Sequence, residues 1–239
     1  MLKKTLQLLL GLLFINPNLQ ASPATQQIPK DFTAQFALYK NGFPIAETEY
    51  RLTREKNNVT FLHVSLPSGL SSFFSKDRVE ELSTLELSDK LLKVKKYQLT
   101  QTGDKNINIK SVFNWENHTI STSHGTNAVI KSHFNNYIWD KSSTLLALIA
   151  YAHDTSKSIL LQSFDGSEVT NYELKYAGQR EIELDDDEWV NTDIWKRDDG
   201  KKQVVFYLDP NSNYFPVRIE QYKRQKLRAT LLLKELKWH

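Results

Sequence analysis

Cysteine is absent from this chain of 239 residues. No disulfide can form, and no lipid can be attached through a thiol at a leader cleavage point. The fold must stand on its hydrophobic core, and with 40% hydrophobic residues there is ample material for one. Glycine is scarce, at positions 11, 42, 69, 103, 125, 166, 178 and 200. No two of these are two, four or five apart, which excludes the dinucleotide loop, the G-x-S-x-G elbow and the phosphate loop. The six histidines, at 63, 118, 124, 133, 153 and 239, form no H-E-x-x-H and no close pair. No metal and no other cofactor is implied. Net charge is small as well. Lys and Arg number 31 against 28 Asp and Glu, and two of the cations, Lys3 and Lys4, stand at the extreme N-terminus. Without them the balance is 29 against 28, so composition offers no argument for a nucleic-acid partner.

Long apolar runs are missing too. The longest, Thr5 to Ile15, follows Met1-Leu2-Lys3-Lys4 and precedes the breaker Asn16-Pro17-Asn18 and a small residue, Ala21. It falls well short of the ~20 residues that span a bilayer. Residues 1–21 therefore read as a secretory signal peptide, with 22–30 as a flexible lead-in and 31–239 as one domain. The expectation is a periplasmic protein with no transmembrane anchor once the signal is removed.

What the chain does have is alternation. Phe32, Ala34, Phe36 and Leu38 share one face, and Lys40-Asn41-Gly42 turns the chain into a second strand, Ile45 to Arg54. Period-two segments recur at Val59–Leu66, Arg78–Leu87, Leu92–Thr102 and Asn106–Trp115, with shorter ones at Thr119–Ser123 and Ala128–Lys131. Ser158–Phe164, Glu168–Ala177, Glu188–Lys196, Gln203–Leu208, Phe215–Arg224 and Leu227–Trp238 complete the set. A sheet this large tends to curl or close so that its edges are hidden. The pattern predicts a mainly β fold.

One stretch breaks the rhythm. From Leu145 to Ala152 every residue is apolar or aromatic, which predicts a helix at about 140–152 with Asp140 or Ser142 as its N-cap. A short helix that is apolar all round belongs in a core. The fold expected is an open spiral or barrel-like antiparallel sheet wrapped around one central buried helix.

Sites are harder to read. Asp185-Asp186-Asp187-Glu188 lacks the glycine of a calcium loop and reads as a solvated turn. Arg218 and Glu220 share a face and read as a surface ion pair worth under ~1 kcal/mol. Phe, Tyr and Trp total 27 residues, and most of these must fill the interior. Leu70, Phe73, Phe74 and Trp139 lie outside the alternation, beside loops or at the helix mouth. They are the candidate lining of an apolar ligand pocket or its entrance. No catalytic residue stands out.

Three segments carry a resemblance. Tyr39-Lys40-Asn41-Gly42-Phe43-Pro44-Ile45-Ala46-Glu47 resembles the opening hairpin of the bacterial domain-of-unknown-function 3108 family. Asp140-Lys141-Ser142-Ser143-Thr144-Leu145-Leu146-Ala147-Leu148 resembles its central helix start. Tyr207-Leu208-Asp209-Pro210, followed by Phe215-Pro216-Val217-Arg218-Ile219-Glu220, resembles its late strand. The acidic run between Ile182 and Val190 departs from the expected Gly/Pro-like turn. The resemblance implies an exported protein of Gram-negative bacteria with no established activity and no catalytic residues to carry over. It also implies a sheet similar to that of periplasmic lipoprotein carriers. The readings, in order, are a non-catalytic envelope protein that binds a lipid, a lipoprotein or another hydrophobic component, a protein–protein interaction module of the envelope, and a hydrolase of envelope polymers.

Overall fold

The structure, a computed structural model, describes residues 27–104, 106–127, 129–155, 158–184 and 188–239. The leader at 1–21, the first part of the lead-in and Asp185 to Asp187 lie outside the described residues.

Fifteen strands form one sheet. The first eight are β1 (Phe32–Lys40), β2 (Phe43–Glu55), β3 (Asn58–Pro67), β4 (Arg78–Ser88), β5 (Leu91–Thr102), β6 (Ile107–Asn114), β7 (Thr119–His124) and β8 (Ile130–His133). A short strand, β9 (Ile138–Asp140), leads into the helix α1 (Thr144–Tyr151). Then come β10 (Ile159–Phe164), β11 (Val169–Glu183), β12 (Trp189–Asp198), β13 (Lys202–Asp209), β14 (Phe215–Lys223) and β15 (Lys226–Trp238). Their order across the sheet is β8-β7-β6-β5-β4-β3-β2-β1-β15-β14-β13-β12-β11-β10-β9. Each half is a meander of neighbours in sequence, and the first and last strands join the halves.

Turn chemistry sets the hairpins. Asn41 and Gly42 both have positive φ, as the two-residue hairpin turn requires. Asp89-Lys90 and Arg224-Gln225 adopt the same left-handed pair without glycine. All ladder contacts are antiparallel except β9 with β10, which is parallel.

The sheet is not closed by hydrogen bonds. Its β9–β10 end instead packs by side chains on the inner face of the other half. Phe164 meets Phe113 of β6 edge-on at 5.9 Å. The Tyr137 hydroxyl donates to the Leu92 carbonyl of β5. Gly166, in the β10–β11 turn, sits so close to Ile109 that a Cβ there would lie 3.3 Å from its Cγ2.

The helix begins later than the sequence pattern predicts. Trp139 and Asp140 are extended and paired to β10, and helical hydrogen bonding starts at Thr144. An apolar pair such as Ile138-Trp139 suits either element, and tertiary pairing decides. Leu146, Leu148 and Ile149 are buried in the same cluster as Phe32, Phe61, Leu85 and Trp195. The lead-in also ends sooner than expected. Pro29 is buried and the Gln27 amide donates to the Ala150 carbonyl at 3.2 Å, giving a helix-end acceptor a partner. The second half of β11, Gln179 to Glu183, is a strand that the sequence pattern does not reveal, because its alternation rests on Ile182 alone.

Phe32 ties the join together. Its ring meets Phe215 at 5.0 Å, Trp238 at 5.7 Å and Phe61 at 6.2 Å, all edge-on. Such pairs add about 0.5–1.5 kcal/mol beyond area burial. Phe32→Ala is expected to destabilise the fold by about 3–5 kcal/mol, read as a lower urea midpoint at unchanged slope. A loss under about 1 kcal/mol would show that the β1–β15 join does not depend on this ring.

Candidate functional site

Two places on the molecule combine unusual chemistry with defined geometry. The first is buried. β4 alternates so that Glu81, Ser83 and Leu85 point inward, at 2%, 0% and 0% exposure. Ser83 Oγ donates to Asp140 Oδ1 at 2.7 Å. Lys141 Nζ donates to Glu81 Oε1 at 2.7 Å, and the Tyr97 hydroxyl donates to Glu81 Oε2 at 2.8 Å. β4 thereby grips the residues that leave β9.

Asp140 also organises the helix start. Its Oδ1 accepts the Ser143 amide at 2.9 Å, and the Asp140 amide donates back to Ser143 Oγ at 3.1 Å. This reciprocal pair has the form of a capping box and closes the turn that leads into α1, whose own N-cap, Ser143, is neither of the two residues that the sequence suggests. Ser142 Oγ is buried without a hydrogen-bond partner among the described residues. Asp140 Oδ2 is in the same position.

The two acids are pushed in opposite directions. Burial raises the Asp140 carboxyl to about 6, against the bonds from Ser143 and Ser83, and the Glu81 charge adds to the rise. Burial also pushes Glu81 up, but the pull of His63 and the Lys141 ammonium outweighs it and holds the carboxyl at about 2. His63 Nδ1 stands 3.7 Å from Glu81 Oε1, longer than a good hydrogen bond. Lys141 at 2.7 Å is the firmer anchor. Burial and the Glu81 charge raise both Tyr50 and Tyr97. A carboxylate held this low is a poor base, and every partner is already engaged. The arrangement works as a staple between two layers of sheet.

The second place is exposed. Leu70 and Phe73 lie on a 3-10 turn, Gly69–Phe73, and Phe74 follows it. The Ser68 amide donates to the Ile45 carbonyl at 3.1 Å, and the Ser71 hydroxyl donates to the same oxygen. These bonds hold the turn against the start of β2. Phe43 and Leu66, at the adjoining ends of β2 and β3, are exposed beside it. Of the four predicted lining residues, the structure brings Leu70, Phe73 and Phe74 together at one end of the sheet. Trp139 is elsewhere, 1% exposed in β9 with its ring 5.6 Å from Tyr137. Phe43 and Leu66 escape sequence reasoning. The signal for Leu66 is that it falls on the outward face, out of phase with the buried Val59 and Phe61, whereas Phe43 stands beside the turn, before the strand that the pattern predicts from Ile45.

Two open concavities of about 470 and 250 Å³ border none of these side chains. The larger is bordered by Thr100, Ile107, His124 and Asn127. The smaller, bordered by Arg180, Lys196, Tyr207 and Tyr222, sits over a second apolar cluster formed by Ile182, Ile194, Val205 and Val217. That cluster corrects the reading of Arg218 and Glu220. Glu220 is buried, accepts both the Tyr207 and Tyr222 hydroxyls at 2.9 and 2.7 Å, and takes Arg218 Nη2 at 2.6 Å. Of the acidic run, Glu188 is described, and its carbonyl accepts the Leu184 amide at 2.8 Å.

A family model described as a protein of unknown function (DUF3108) matches residues 31–225. Among curated proteins, none matches. Among solved structures, the chain is similar to a beta-barrel-like protein of domain of unknown function DUF1849 from Brucella abortus. The TM-score is 0.56 at 12% identity, over 90% of this chain and all of that one. At that identity the likeness concerns the fold alone.

The staple makes a pH signature. Asp140 titrates near 6 folded against 3.8 unfolded, so it begins to destabilise the fold above pH 3.8, and the loss is complete above 6, at about 3 kcal/mol. Glu81, near 2 folded against 4.5 unfolded, stabilises above pH 4.5 and loses that contribution as pH falls through 2. Asp140→Asn is therefore expected to gain about 3 kcal/mol on wild type between about pH 4 and pH 7 in urea melts. A gap that stays constant over that range would show that Asp140 titrates like an exposed acid.

Proposed function

The chain belongs to the DUF3108 family, and on that premise we propose that it is a non-catalytic, periplasmic protein of the cell envelope that binds a hydrophobic ligand or envelope component. The observation that carries this reading is the exposed apolar group Phe43, Leu66, Leu70, Phe73 and Phe74 at one end of the sheet. Exposed apolar side chains occur singly on most surfaces, but a contiguous group marks a contact site. The turn that presents it is bonded to the Ile45 carbonyl, so the group is preformed. Export is supported by the basic and apolar segments of residues 1–21.

The finer architecture belongs to the same proposal. The sheet forms a spiral around α1, as in the periplasmic lipoprotein carriers. Support comes from the core, where Leu146, Leu148 and Ile149 lie among side chains from both halves of the sheet. The interaction-module reading has one observation of its own. β8 is a terminal strand of the sheet, and Val129 and Ile130 stand exposed at its start, a form suited to strand addition.

Native mass spectrometry of the protein purified from its own periplasm, with lipid extraction alongside, separates these. A stoichiometric bound lipid is expected, and it should be lost from a Leu70→Ser/Phe73→Ser/Phe74→Ser variant. A protein that comes out empty defeats ligand carriage. A co-purifying protein that survives in this variant but not in an Ile130→Lys variant would favour pairing through the β8 edge.

A further inference from the structure

We infer that the strand end carrying the exposed apolar group is a docking face for an anionic lipid bilayer surface. This deepens the proposed function and rests on it only in taking that group as a contact site.

The strand register places the parts. Tyr39 pairs with Pro44 on one side and Thr230 on the other, and Thr230 pairs with Glu220. The β1–β2 turn at Asn41-Gly42 and the β14–β15 turn at Arg224-Gln225 therefore end on the same rim, a few residues beyond that common level. The β3–β4 loop, which holds Leu70, Phe73 and Phe74, joins the rim through its bonds to Ile45. Adjacent strands lie ~4.8 Å apart, so the segment from β3 to β14 spans about 20 Å.

Apolar exposure concentrates here. Of the eleven large apolar side chains exposed among the described residues, six lie on this segment of the rim. Phe74 is 86% exposed, Phe73 81%, Leu70 75% and Phe43 69%. Leu66 and Leu227 complete the six, while Val129 and Ile130 stand at the same end of the sheet on β8, five strands beyond β3. The remaining three, Val112, Leu160 and Trp189, sit in mid-strand or toward the other end. Side chains this exposed project from the surface and do not line a cavity. The two concavities border neither Phe73 nor Phe74. Projecting phenylalanines suit insertion into a soft apolar phase better than enclosure of a small molecule.

Charge chooses the phase. Residues 40–43, 67–78 and 223–228 carry Lys40, Lys76, Arg78, Lys223, Arg224, Lys226 and Arg228 against Asp77, and the turns bonded to them add Asp104, Asp198 and Asp199 with Lys201 and Lys202. Asp77 Oδ1 is occupied by the Asp104 amide at 2.7 Å, and Arg78 is paired with Glu80 at 2.8 Å. Glu47 stands opposite Leu66, a little inside the rim. The whole chain is close to neutral, so this is a local excess. Basic side chains beside inserted aromatics are the two signals that hold a protein reversibly on anionic lipid, each Lys or Arg near the surface adding to the attraction. A second copy of this chain would bring the same cations face to face, which argues against self-association through the rim.

The test is co-sedimentation of the purified protein with vesicles of phosphatidylethanolamine and phosphatidylglycerol, compared with vesicles of phosphatidylcholine alone. Wild type is expected to bind the anionic vesicles at low salt and to bind phosphatidylcholine at least about tenfold less. Phe73→Ser/Phe74→Ser and Lys223→Glu/Arg224→Glu/Lys226→Glu should each lose at least about tenfold, and about 0.5 M salt should remove most of the binding. Both variants alter exposed positions, and an unchanged urea midpoint confirms that they fold. Wild type that ignores anionic vesicles, or variants that bind as well as wild type, overturns the docking. Lipid bound one to one without vesicle binding does so while leaving the ligand reading intact. Vesicle binding by a protein that carries no stoichiometric lipid supports the docking and removes ligand carriage. A protein partner captured through Phe73 and Phe74 while vesicles stay unbound overturns it in favour of that partner.

Discussion

The curl of the sheet depends on one crossing, where β4 holds Asp140 and Lys141. An open sheet of fifteen strands has two edges, and an exposed edge invites pairing with other chains. The bonds Ser83–Asp140 and Lys141–Glu81 press the β9 end against the inner face of the other half. They replace a ladder with side chains, and so fix the overlap without closing a barrel. The same residues start the helix, since the carboxylate that Ser83 grips also accepts the Ser143 amide. The position of α1 in the core and the tuck of the sheet are therefore set by one aspartate.

That solution has an electrostatic tension built into it. Two buried acids share a small volume, and each opposes ionisation of the other. Only one has a cation. Lys141 neutralises Glu81 from a half-exposed position, while Asp140 has hydroxyl and amide donors alone. Burying a charge with partial compensation weakens a fold compared with an apolar packing of the same shape, and the return is a defined geometry. In this chain the defined geometry is the registry of β9 against β4, which are held together by side chains.

Much of the fold was legible because the sheet obeys a period of two and its turns carry recognisable residues. The first hairpin could be placed from Phe32, Ala34, Phe36 and Leu38 with Asn41-Gly42 alone. The β9 strand could not, because the apolar pair Ile138-Trp139 just before a helix looks like its first turn. The buried staple was illegible for another reason. Glu81 and Ser83 occupy inward positions that a pattern reading fills with apolar side chains, and only their phase with Leu85 betrays them. Half of the exposed site was visible as residues outside the alternation, namely Leu70, Phe73 and Phe74. Of the rest, Leu66 keeps the alternation, and only the direction of its face reveals its exposure, while Phe43 sits at the hairpin turn outside the predicted strand. Trp139 shows the reverse error. Its place outside the alternation suggested the lining of a pocket at the helix mouth, whereas it reflects a change of element in the core.

The pairing of β1 with β15 bears on how the chain acquires its shape. Thr33 and His239 touch across a separation of 206 residues. Every other neighbour in the sheet is also a neighbour in sequence, or nearly so, and can zip as soon as it is made. The two half-sheets are thus quick, local structures, and the seam between them is the one slow, long-range event, with a large loop-closure entropy. Until the last strand arrives, β1 is an open edge. A chain built this way forms two half-sheets early and locks them together when β1 and β15 meet.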